Sequence, residues 1–434
     1  MSPMVITFLI LLICILALIS NKVSLAIVGI FCPVALTITK VLTTSEAWSG
    51  FANTATITFA ALFVVGGGLA KTSIAEKISN TVLKIDFSGK TNGKERLIVA
   101  IFGITAMIMA TLLNAASTVA TLTPFIIIVC NNLGISKQRV IKPVSDVANM
   151  WSAVMPIGAG VSFFLTSNAI LKEIGSPERF GFFDLALMKA PILFVTTAFI
   201  ILLGYKILPN RMGSVNDEQF IVAHKKSKLS PVKEKTAYCI FFGVVSLMIL
   251  SGLFKSLIPL DPTQLAVVGA LLMVCSRVET DKEAISSINW PVVFIVGGFL
   301  PMATALNKTG AGKMMALWLQ TAMGGQSNPY LLALVFLIVP LIATQFMNNI
   351  VVMNLFMAIE STIAVGVGVS PKFAMTGALV AGTIALLTPM ASSPSAMGFG
   401  SGEYTMKEFF IGGLPSVLVV IVAYLIWVPI CIHP

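Results

Sequence analysis

Long apolar runs recur from one end of this chain to the other, and they constrain its fold more than any other feature. Each run is about 20 residues long, the length that an α-helix needs to cross a hydrocarbon core of about 30 Å. Charged residues make up only 11% of the 434 residues, whereas a soluble chain carries about 25% to cover its surface. Because lipid offers no hydrogen bonds to an open backbone, such runs fold as helices. The sequence therefore predicts an all-α, polytopic membrane protein.

The apolar runs are of two kinds. Ten are continuous and predict spanning helices, at about residues 4–20, 23–40, 54–70, 147–167, 192–208, 236–253, 263–278, 290–306, 373–398 and 411–432. Two further regions, at about 97–131 and 330–367, are apolar on both sides of a polar centre that contains asparagine. Each is compatible with a pair of spans or with a re-entrant helical hairpin whose tip lies near the middle of the bilayer. The polar tips favour the hairpins.

Positive charge predicts the orientation of the chain. With both hairpins re-entrant, chain reversal places the loops 71–96, 131–146 and 209–235 on one side of the membrane, and these loops carry many of the lysines and arginines. Cytoplasmic loops are enriched in these residues, so we expect this side to be cytoplasmic, both termini to lie outside, and the protein to reside in the plasma membrane. Segment 209–235 is then a basic cytoplasmic linker between a first half, residues 1–208, and a second half, residues 236–434.

The residue inventory argues against several functions. The net charge of +10 does not indicate nucleic-acid binding, because the basic residues lie in the loops. The six cysteines are scattered without a CxxC pair, and the two histidines lie in a basic loop and beside the C-terminus. We therefore expect no metal site, no cofactor, and no intramembrane enzyme with paired carboxylates, a histidine cluster or an activated nucleophile.

The two halves of the chain resemble each other. The segment ITFAALFVVGGGL at Ile57–Leu69 aligns without gaps with INWPVVFIVGGFL at Ile288–Leu300. The matched positions that follow keep their order: Asn114 with Asn348, Gly134 with Gly368, Pro156 with Pro389, and Pro191 with Pro415. The first copy begins with a span that enters from outside and the second with a span that enters from inside. The repeats are therefore inverted, as in many secondary transporters.

Polar residues and helix breakers come together at two places in each half. The hairpin tips contain Asn114 and Asn348, and broken spans follow at Met155–Gly160 and Thr388–Ser395. Proline removes a backbone donor and glycine relaxes the helix, so carbonyl groups are freed inside the membrane, where an ion or ligand has to satisfy them. Helix N-termini at the same cavity add partial positive charge, which favours an anion. We predict that the substrate is held by Asn114, Ser117, Thr118, Asn348, Asn349 and Ser395.

Glu360 is the clearest charged residue inside an apolar segment, in the second arm of the second hairpin. A carboxylate within a span indicates function, and this one is a candidate proton carrier. A position in water at the outer mouth is an equally good interpretation. Its role therefore depends on where the second arm places it.

Several motifs resemble those of the divalent anion/sodium symporter family, within the wider ion transporter superfamily. The opening motif is WSGFANTATITFAALFVVGGGLAKT, the two tips are LLNAASTVATLTPFIII and TQFMNNIVVMNLFM, and the closing signature runs from Pro389 to Pro415. The similarity covers almost the whole chain and keeps the order of the motifs. One departure is at the first tip, which has Ala115 and Ala116 where the family usually has a polar pair.

The resemblance implies an assembly and a mechanism. It implies a scaffold domain, a mobile transport domain that holds both hairpins, a homodimer in the lipid bilayer, and elevator-type alternating access. It also implies two sodium sites, one in each repeat, with the substrate between the tips. Hard cations favour oxygen ligands, and the predicted sodium ligands are Asn114, Gly158, Asn168, Asn348, Ala391 and Ser393.

The residues leave the coupling ion open. We predict sodium-coupled symport of a small divalent anion, either a di- or tricarboxylate or a sulfate-like oxyanion. The alternative is a proton-coupled anion transporter or antiporter in which Glu360 carries the proton. A channel is a further alternative, which saturable, gradient-dependent flux would exclude.

Overall fold

The computed structural model describes residues 1–20, 22–73, 94–156, 159–211, 229–253, 261–322, 328–389 and 392–432. Within these ranges the chain forms helices and contains no strand, which confirms the predicted all-α class. The first helices are α1 (Pro3–Ser20), α2 (Leu25–Ile38), α3 (Thr44–Trp48) and α4 (Thr54–Ala70). The first half continues with α5 (Lys94–Leu112), α6 (Ala115–Leu133), α7 (Gln138–Trp151), α8 (Ala159–Glu173) and α9 (Asp184–Leu202).

The second half contains a corresponding series of helices. It opens with α10 (Pro231–Leu253), α11 (Pro262–Cys275), α12 (Asp281–Ser287), α13 (Trp290–Lys308) and α14 (Ala311–Ala322). It continues with α15 (Pro329–Ala343), α16 (Asn349–Val367), α17 (Pro371–Ala381), α18 (Ser393–Gly402) and α19 (Met406–Cys431). Most of the predicted linker 209–235, residues 212–228, lies outside the described residues, so the linker and the domain boundaries stay predictions.

Several of these helices have the length and hydropathy of membrane spans. In the described part of the chain five segments are long and apolar enough to cross a bilayer: Thr44–Leu69, which takes in α3 and most of α4, and Lys94–Leu112, Asp184–Leu202, Asn349–Val367 and Met406–Cys431. Shorter apolar helices, among them α1, α2 and α15, accompany them. Large apolar side chains such as Ile108 and Ile426 are exposed on the outside of the helices. An apolar outer surface is what a helix facing lipid requires.

Each predicted hairpin region consists of two helices joined by a short turn, and the two regions match each other closely; their re-entrant position in the membrane stays a prediction. Helices α5 and α6 form the first, and α15 and α16 form the second. The returning helices α6 and α16 each contain 19 residues, and each ends at a glycine with a left-handed backbone, Gly134 at φ 63° and Gly368 at φ 81°. Glycine adopts this conformation without the strain that a Cβ would add. Equal lengths and equal ends place the two hairpins at equivalent positions of the repeat.

The two runs expected to be broken spans are each divided into two helices. The described residues 152–156 follow α7 in the first break, and the described residues 382–389, here called the extended segment, lead from α17 towards α18. Helix α7 begins earlier than predicted and takes in much of the expected loop 131–146. Its Lys142 and Asp146 lie four residues apart and form an ion pair at 3.0 Å. A partner one helical turn away supports the helix and reduces the cost of burying each charge.

The helices pack as two groups, and both halves contribute to each group. The outer group contains α1–α4 and α10–α14, with α2 against α13 and α4 against α11. A Cβ on Gly298 would overlap the backbone of Gly29, so this glycine pair allows the close approach of α2 and α13. The hairpin group contains α5–α9 and α15–α19, with α5 against α7, α15 against α17 and α9 against α19. The groups meet where α4 contacts α8 and where α13 and α14 contact α16.

Two short helices connect the two halves of the outer group through ion pairs. Both α3 and α12 begin with a capping box, formed by Thr43 with Glu46 and by Thr280 with Glu283. The Glu46 carboxylate lies 2.7 Å from the ammonium of Lys308, at the end of α13. The Glu283 carboxylate lies 2.8 Å from the ammonium of Lys71, just after α4. Each short helix is therefore tied to the C-terminal end of a long helix in the other half, α3 to α13 and α12 to α4.

These ion pairs correct the alignment of the repeats. They make Lys71 the counterpart of Lys308, so that α4 and α13 correspond from end to end. The gapless match of Ile57–Leu69 to Ile288–Leu300 is therefore displaced by about two helical turns. Glycine, valine and other apolar residues recur along both helices, so the two segments still look similar at this displacement, which explains the error.

Candidate functional site

Each hairpin turns at an asparagine that caps the returning helix. The Asn114 side-chain oxygen accepts the Ser117 N–H at 2.8 Å, and the Asn348 side-chain oxygen accepts the Ile350 N–H at 3.0 Å. Asparagine is among the best N-cap residues because its side chain satisfies a free N–H of the first turn. Both asparagines are exposed, so a ligand can reach them.

The other predicted tip residues form hydrogen bonds within the tips. Thr118 is buried, and its hydroxyl donates to the Asn114 carbonyl at 2.8 Å. The Asn349 side-chain oxygen accepts the Thr344 hydroxyl at 3.0 Å. Ser117 is half-buried and takes part in the cap of α6 through its N–H. The tips are therefore ordered by their own hydrogen bonds, with the two capping asparagines outermost.

The first break carries a freed carbonyl that a lysine ammonium occupies. Lys189 on α9 is only 1% exposed, and its ammonium donates to the Ala153 carbonyl at 3.2 Å. The Thr111 hydroxyl, at the end of the first hairpin arm, lies 3.4 Å from the Trp151 carbonyl. The hairpin tip thus contacts the start of the break. Gly158, a predicted sodium ligand, lies outside the described residues.

The second break is held by the turn of the second hairpin. Gln345 accepts the Leu387 N–H at 3.0 Å through its side-chain oxygen and donates to the Ile384 carbonyl at 2.9 Å. The Thr388 hydroxyl also donates to the Gln345 carbonyl. The hairpin and the extended segment are therefore fixed relative to each other. Ala391, another predicted sodium ligand, lies outside the described residues.

A polar network joins the first half to the second break. The Asn149 amide, at the end of α7, donates to the Ser392 hydroxyl at 2.9 Å and to the Ser395 hydroxyl at 2.8 Å. Ser392 caps α18, and the Ser395 hydroxyl donates to the Ala385 carbonyl at 2.8 Å. The Ser395 side chain is fully buried, and its hydroxyl both accepts and donates a hydrogen bond. Its place in this network fixes the start of α18.

A buried ion pair lies against the same break. The Lys142 ammonium is 3.0 Å from each oxygen of the Asp146 carboxylate and donates to the Leu386 carbonyl at 2.9 Å. It also lies 3.8 Å from the centre of the Phe409 ring, a cation–π contact. Both charged side chains are almost wholly buried. The Leu386 carbonyl therefore accepts a hydrogen bond from a lysine whose charge is neutralised by Asp146.

Two further predicted sodium ligands lie in different surroundings. Asn168 is not at the break: its amide donates to the Phe180 carbonyl at 3.2 Å, and its oxygen accepts the Phe180 N–H at 2.8 Å. It therefore braces the loop that follows α8, about 14 Å along that helix from its start. Ser393 is exposed as the first residue of α18, next to the cap.

Glu360 is buried rather than placed in water. Its side chain is 3% exposed, and one carboxylate oxygen accepts the Ala378 N–H at 3.2 Å. The other carboxylate oxygen has no hydrogen-bond partner among the described residues. The structure thus decides between the two positions considered for Glu360 and supports the one inside the protein.

Each hairpin packs against a helix of the other half. Helix α6 of the first hairpin packs against α18, which follows the second break, and α16 of the second hairpin packs against α8, which follows the first break. Helix N-termini carry partial positive charge and suit an anion. The freed carbonyls of the breaks suit a cation. The arrangement can therefore hold an anion and a cation close together.

Sequence reasoning missed four polar groups that shape the site: Gln345, Asn149, the Lys142–Asp146 pair and Lys189. The two lysines were interpreted as loop residues, because only the length of the apolar runs decided where a span ended. The spacing of Lys142 and Asp146, one helical turn apart, was an available signal of a buried pair.

The comparison with protein families gives the broadest match. A family described as "citrate transporter" matches residues 15–372, most of the chain. The chain belongs to the citrate transporter family. This finding confirms the resemblance to anion transporters and identifies a membrane transporter rather than an enzyme.

Curated relatives in the same group are transporters too. The chain is 29% identical over 204 residues to the uncharacterized transporter YfbS of Escherichia coli, a match covering 47% of this chain and 32% of YfbS. It is 27% identical over 155 residues to the sodium-dependent dicarboxylate transporter SdcS of Staphylococcus saprophyticus, covering 35% of this chain and 30% of SdcS. The aligned part of the chain spans about a third of the length of these relatives.

Solved structures share the fold at low identity. The YdaH transporter of Alcanivorax borkumensis has a TM-score of 0.67 at 12% identity, covering 99% of this chain and 98% of that one. MtrF of Neisseria gonorrhoeae has a TM-score of 0.64 at 13% identity, covering 100% and 95%. These likenesses establish the architecture of this citrate transporter family member and nothing about its substrate.

Proposed function

We propose that this protein is a secondary active transporter that couples sodium ions to the symport of a small divalent anion. The anion is a di- or tricarboxylate or a sulfate-like oxyanion. The observation that carries the proposal is the pair of hairpin tips, each with an exposed asparagine at the start of a 19-residue helix. The family description as a citrate transporter and the name of the SdcS relative support it.

The anion site is proposed between the two tips. Asn114 and Asn348 supply amide groups, and the starts of α6 and α16 supply free N–H groups and partial positive charge. Two carboxylates at opposite ends of one molecule would match two such N-termini. Ser117 and Asn349 lie in the first turns behind the asparagines and complete the polar surface.

The sodium sites are proposed at the tips and breaks, where oxygen ligands are concentrated. Asn114 and the break around Gly158 form the first, and Asn348, Ser393 and the break around Ala391 form the second. Asn168 belongs to neither proposed site, because both polar atoms of its side chain bond to Phe180 in the loop after α8. A movement of the hairpin group against the outer group, in a homodimer in the plasma membrane, would give elevator-type access from each side.

The proposal is tested by uptake into proteoliposomes. Labelled citrate, succinate, malate and sulfate are supplied in turn, with an inward sodium gradient or with choline in its place. We expect saturable accumulation of at least one di- or tricarboxylate or of sulfate, with sodium only. No accumulation of any of the four anions would contradict the proposal.

The tips are tested by Asn114→Ala and Asn348→Ala. Each change removes an N-cap, at a cost of about 0.5–2 kcal/mol, and we expect uptake to fall by about tenfold or more with little loss of folded protein. Asn307→Ala is the matched control, because Asn307 is exposed at the end of α13 in the outer group. Normal uptake kinetics in both tip variants would make the tips structural only.

Glu360 favours a second candidate, proton-coupled anion transport or antiport. A buried carboxylate with one free oxygen is suited to carry a proton. Under sodium coupling, Glu360→Gln leaves sodium-driven accumulation largely intact, because the isostere keeps the acceptor for the Ala378 N–H. Under proton coupling, the same change abolishes accumulation yet spares exchange of substrate. Uptake that ignores sodium and collapses with a protonophore would favour the second candidate.

A further inference from the structure

The two breaks present one carbonyl group each at equivalent positions. Ala153 lies three residues before Pro156 in the first break. Leu386 lies three residues before Pro389 in the second. Residues 152–156 and 382–389 are not helical, so these carbonyls lack the N–H partner four residues further on that a helix would supply. The repeat thus creates two equivalent acceptors.

A buried lysine ammonium occupies each of these acceptors. Lys189 donates to the Ala153 carbonyl at 3.2 Å, and Lys142 donates to the Leu386 carbonyl at 2.9 Å. The lysines come from different places in the repeat, since Lys189 lies on α9 after its break and Lys142 lies on α7 of the other half. The same arrangement is therefore built twice from unrelated sequence positions.

The two ammonium groups differ in their counter-charges. Lys142 is 3.0 Å from both oxygens of the Asp146 carboxylate, so the second break gains no net charge from it. In the described residues, the Ala153 carbonyl is the one hydrogen-bond acceptor of Lys189, and no carboxylate pairs with it. An ammonium has three donors to satisfy. The first break therefore holds a lysine amino group with no carboxylate beside it among the described residues.

Such an ammonium and a sodium ion meet the same requirement. Both place one positive charge at the carbonyl oxygens of a broken helix and both can balance a bound anion. A sodium ion close to an uncompensated ammonium is repelled strongly where water is excluded. No such repulsion arises at the second break, because Asp146 cancels the charge of Lys142.

We propose that Lys189 is a tethered cation that takes the place of one coupling sodium ion at the first break. A single sodium ion then binds in the second half, near Asn348 and Ser393, with oxygens that Lys142 does not occupy. The inference deepens the proposed sodium-coupled function and rests on it for the role of the remaining ion. It turns the two sodium sites implied by the family resemblance into one.

The test counts sodium ions bound to the purified full-length protein. Equilibrium binding of ²²Na⁺ is measured for the wild type, for Lys189→Met, which keeps the side-chain length without the charge, and for Lys189→Arg, which keeps the charge. We expect one ion per protomer in the wild type and in Lys189→Arg, and two ions in Lys189→Met. Two ions in the wild type, or an unchanged count in folded Lys189→Met, would overturn the inference.

A second measurement needs no variant. Sodium-driven uptake by the wild type should depend on sodium concentration with a Hill coefficient near one, and a coefficient near two overturns the inference even if Lys189→Met does not fold. The proposed function fails in a different way. No sodium bound to the wild type with one ion bound to Lys189→Met would overturn sodium coupling and support the tethered cation.

Discussion

Asn149 shows how a single side chain can join the two halves. It ends α7 in the first half, and its amide donates both of its hydrogens to hydroxyl groups at the start of α18, in the second half. The two serine hydroxyls also contact each other at 2.9 Å. Because all these groups lie at the second break, Asn149 sets where the freed carbonyls lie relative to α7.

We therefore expect Asn149→Ala to lower both stability and uptake. The change leaves the Ser392 and Ser395 hydroxyls without their donor, at a cost of about 1–3 kcal/mol in the free energy of unfolding. The matched control is Asn354→Ala, because Asn354 is also buried but its amide donates only within its own helix, to the Ile350 carbonyl at 2.7 Å. Thermal unfolding in detergent and uptake into proteoliposomes measure the two effects. Equal values in both variants would show that the bridge has no special role.

The residues of the site differ in how far sequence could predict them. Asn114 and Asn348 were predictable, since an N-cap depends on residues within one turn. Asn149 was not, because its serine partners lie more than 240 positions away in the chain. Lys189 was not either, because only the packing of α9 against the first break shows that its charge is buried.

Among the helices, the short capped pair α3 and α12 has the clearest electrostatic effect. Glu283 accepts hydrogen bonds from the Lys71 ammonium and from the N–H and hydroxyl of Thr280. These contacts stabilise the carboxylate, with Lys71 the largest contribution, and lower the pKa of Glu283 from 4.5 to about 2. The ion pair is exposed to solvent, so its effect on stability is small.

The pH dependence of this contribution has a definite sign. A pKa lowered on folding stabilises the protein above the unfolded pKa of 4.5, and the benefit is lost as the pH falls towards 2. We expect the melting temperature of the wild type to exceed that of Glu283→Gln slightly at pH 7, and the difference to shrink between pH 4.5 and pH 3. Asp281→Asn, in the same helix, is the control. A difference that grows on acidification would contradict the assignment.

Most helices and both breaks were predictable because their signals are local. Apolar length, glycine, proline and a capping asparagine each act within a few residues. The match of α4 to α13 was off by about two turns, because the residues that fix it, Lys71 and Lys308, form ion pairs with the other half. The early start of α7 was missed because its charges are paired only once the helix exists.

For the molecule as a whole, the two groups of helices suggest where movement takes place. The hairpin group contains every tip and break, and the outer group contains none of them. Elevator-type access requires the hairpin group to slide along contacts such as those between α14 and α16. Contacts inside the outer group, such as those between α10 and α11, should not change.

Two designed disulfides distinguish movement between the two groups from movement inside the outer group. A Cβ on Gly312 of α14 would lie 3.2 Å from the Cβ of Thr362 on α16, and a Cβ on Gly269 of α11 would lie 3.6 Å from the Cβ of Val244 on α10. Both distances are close to the 3.5–4.5 Å of a disulfide. The pairs Gly312→Cys with Thr362→Cys and Gly269→Cys with Val244→Cys are made in a background without the six native cysteines.

We expect oxidation of the α14–α16 pair to stop uptake and a reductant to restore it, because the disulfide locks the hairpin group to the outer group. Oxidation of the α10–α11 pair should leave uptake unchanged, because both cysteines move together. Gel shifts after thiol labelling show how completely each pair has closed. Full uptake with the α14–α16 disulfide closed would mean that α16 does not move past α14, and access to the site would then have to come from movements of the hairpin tips alone.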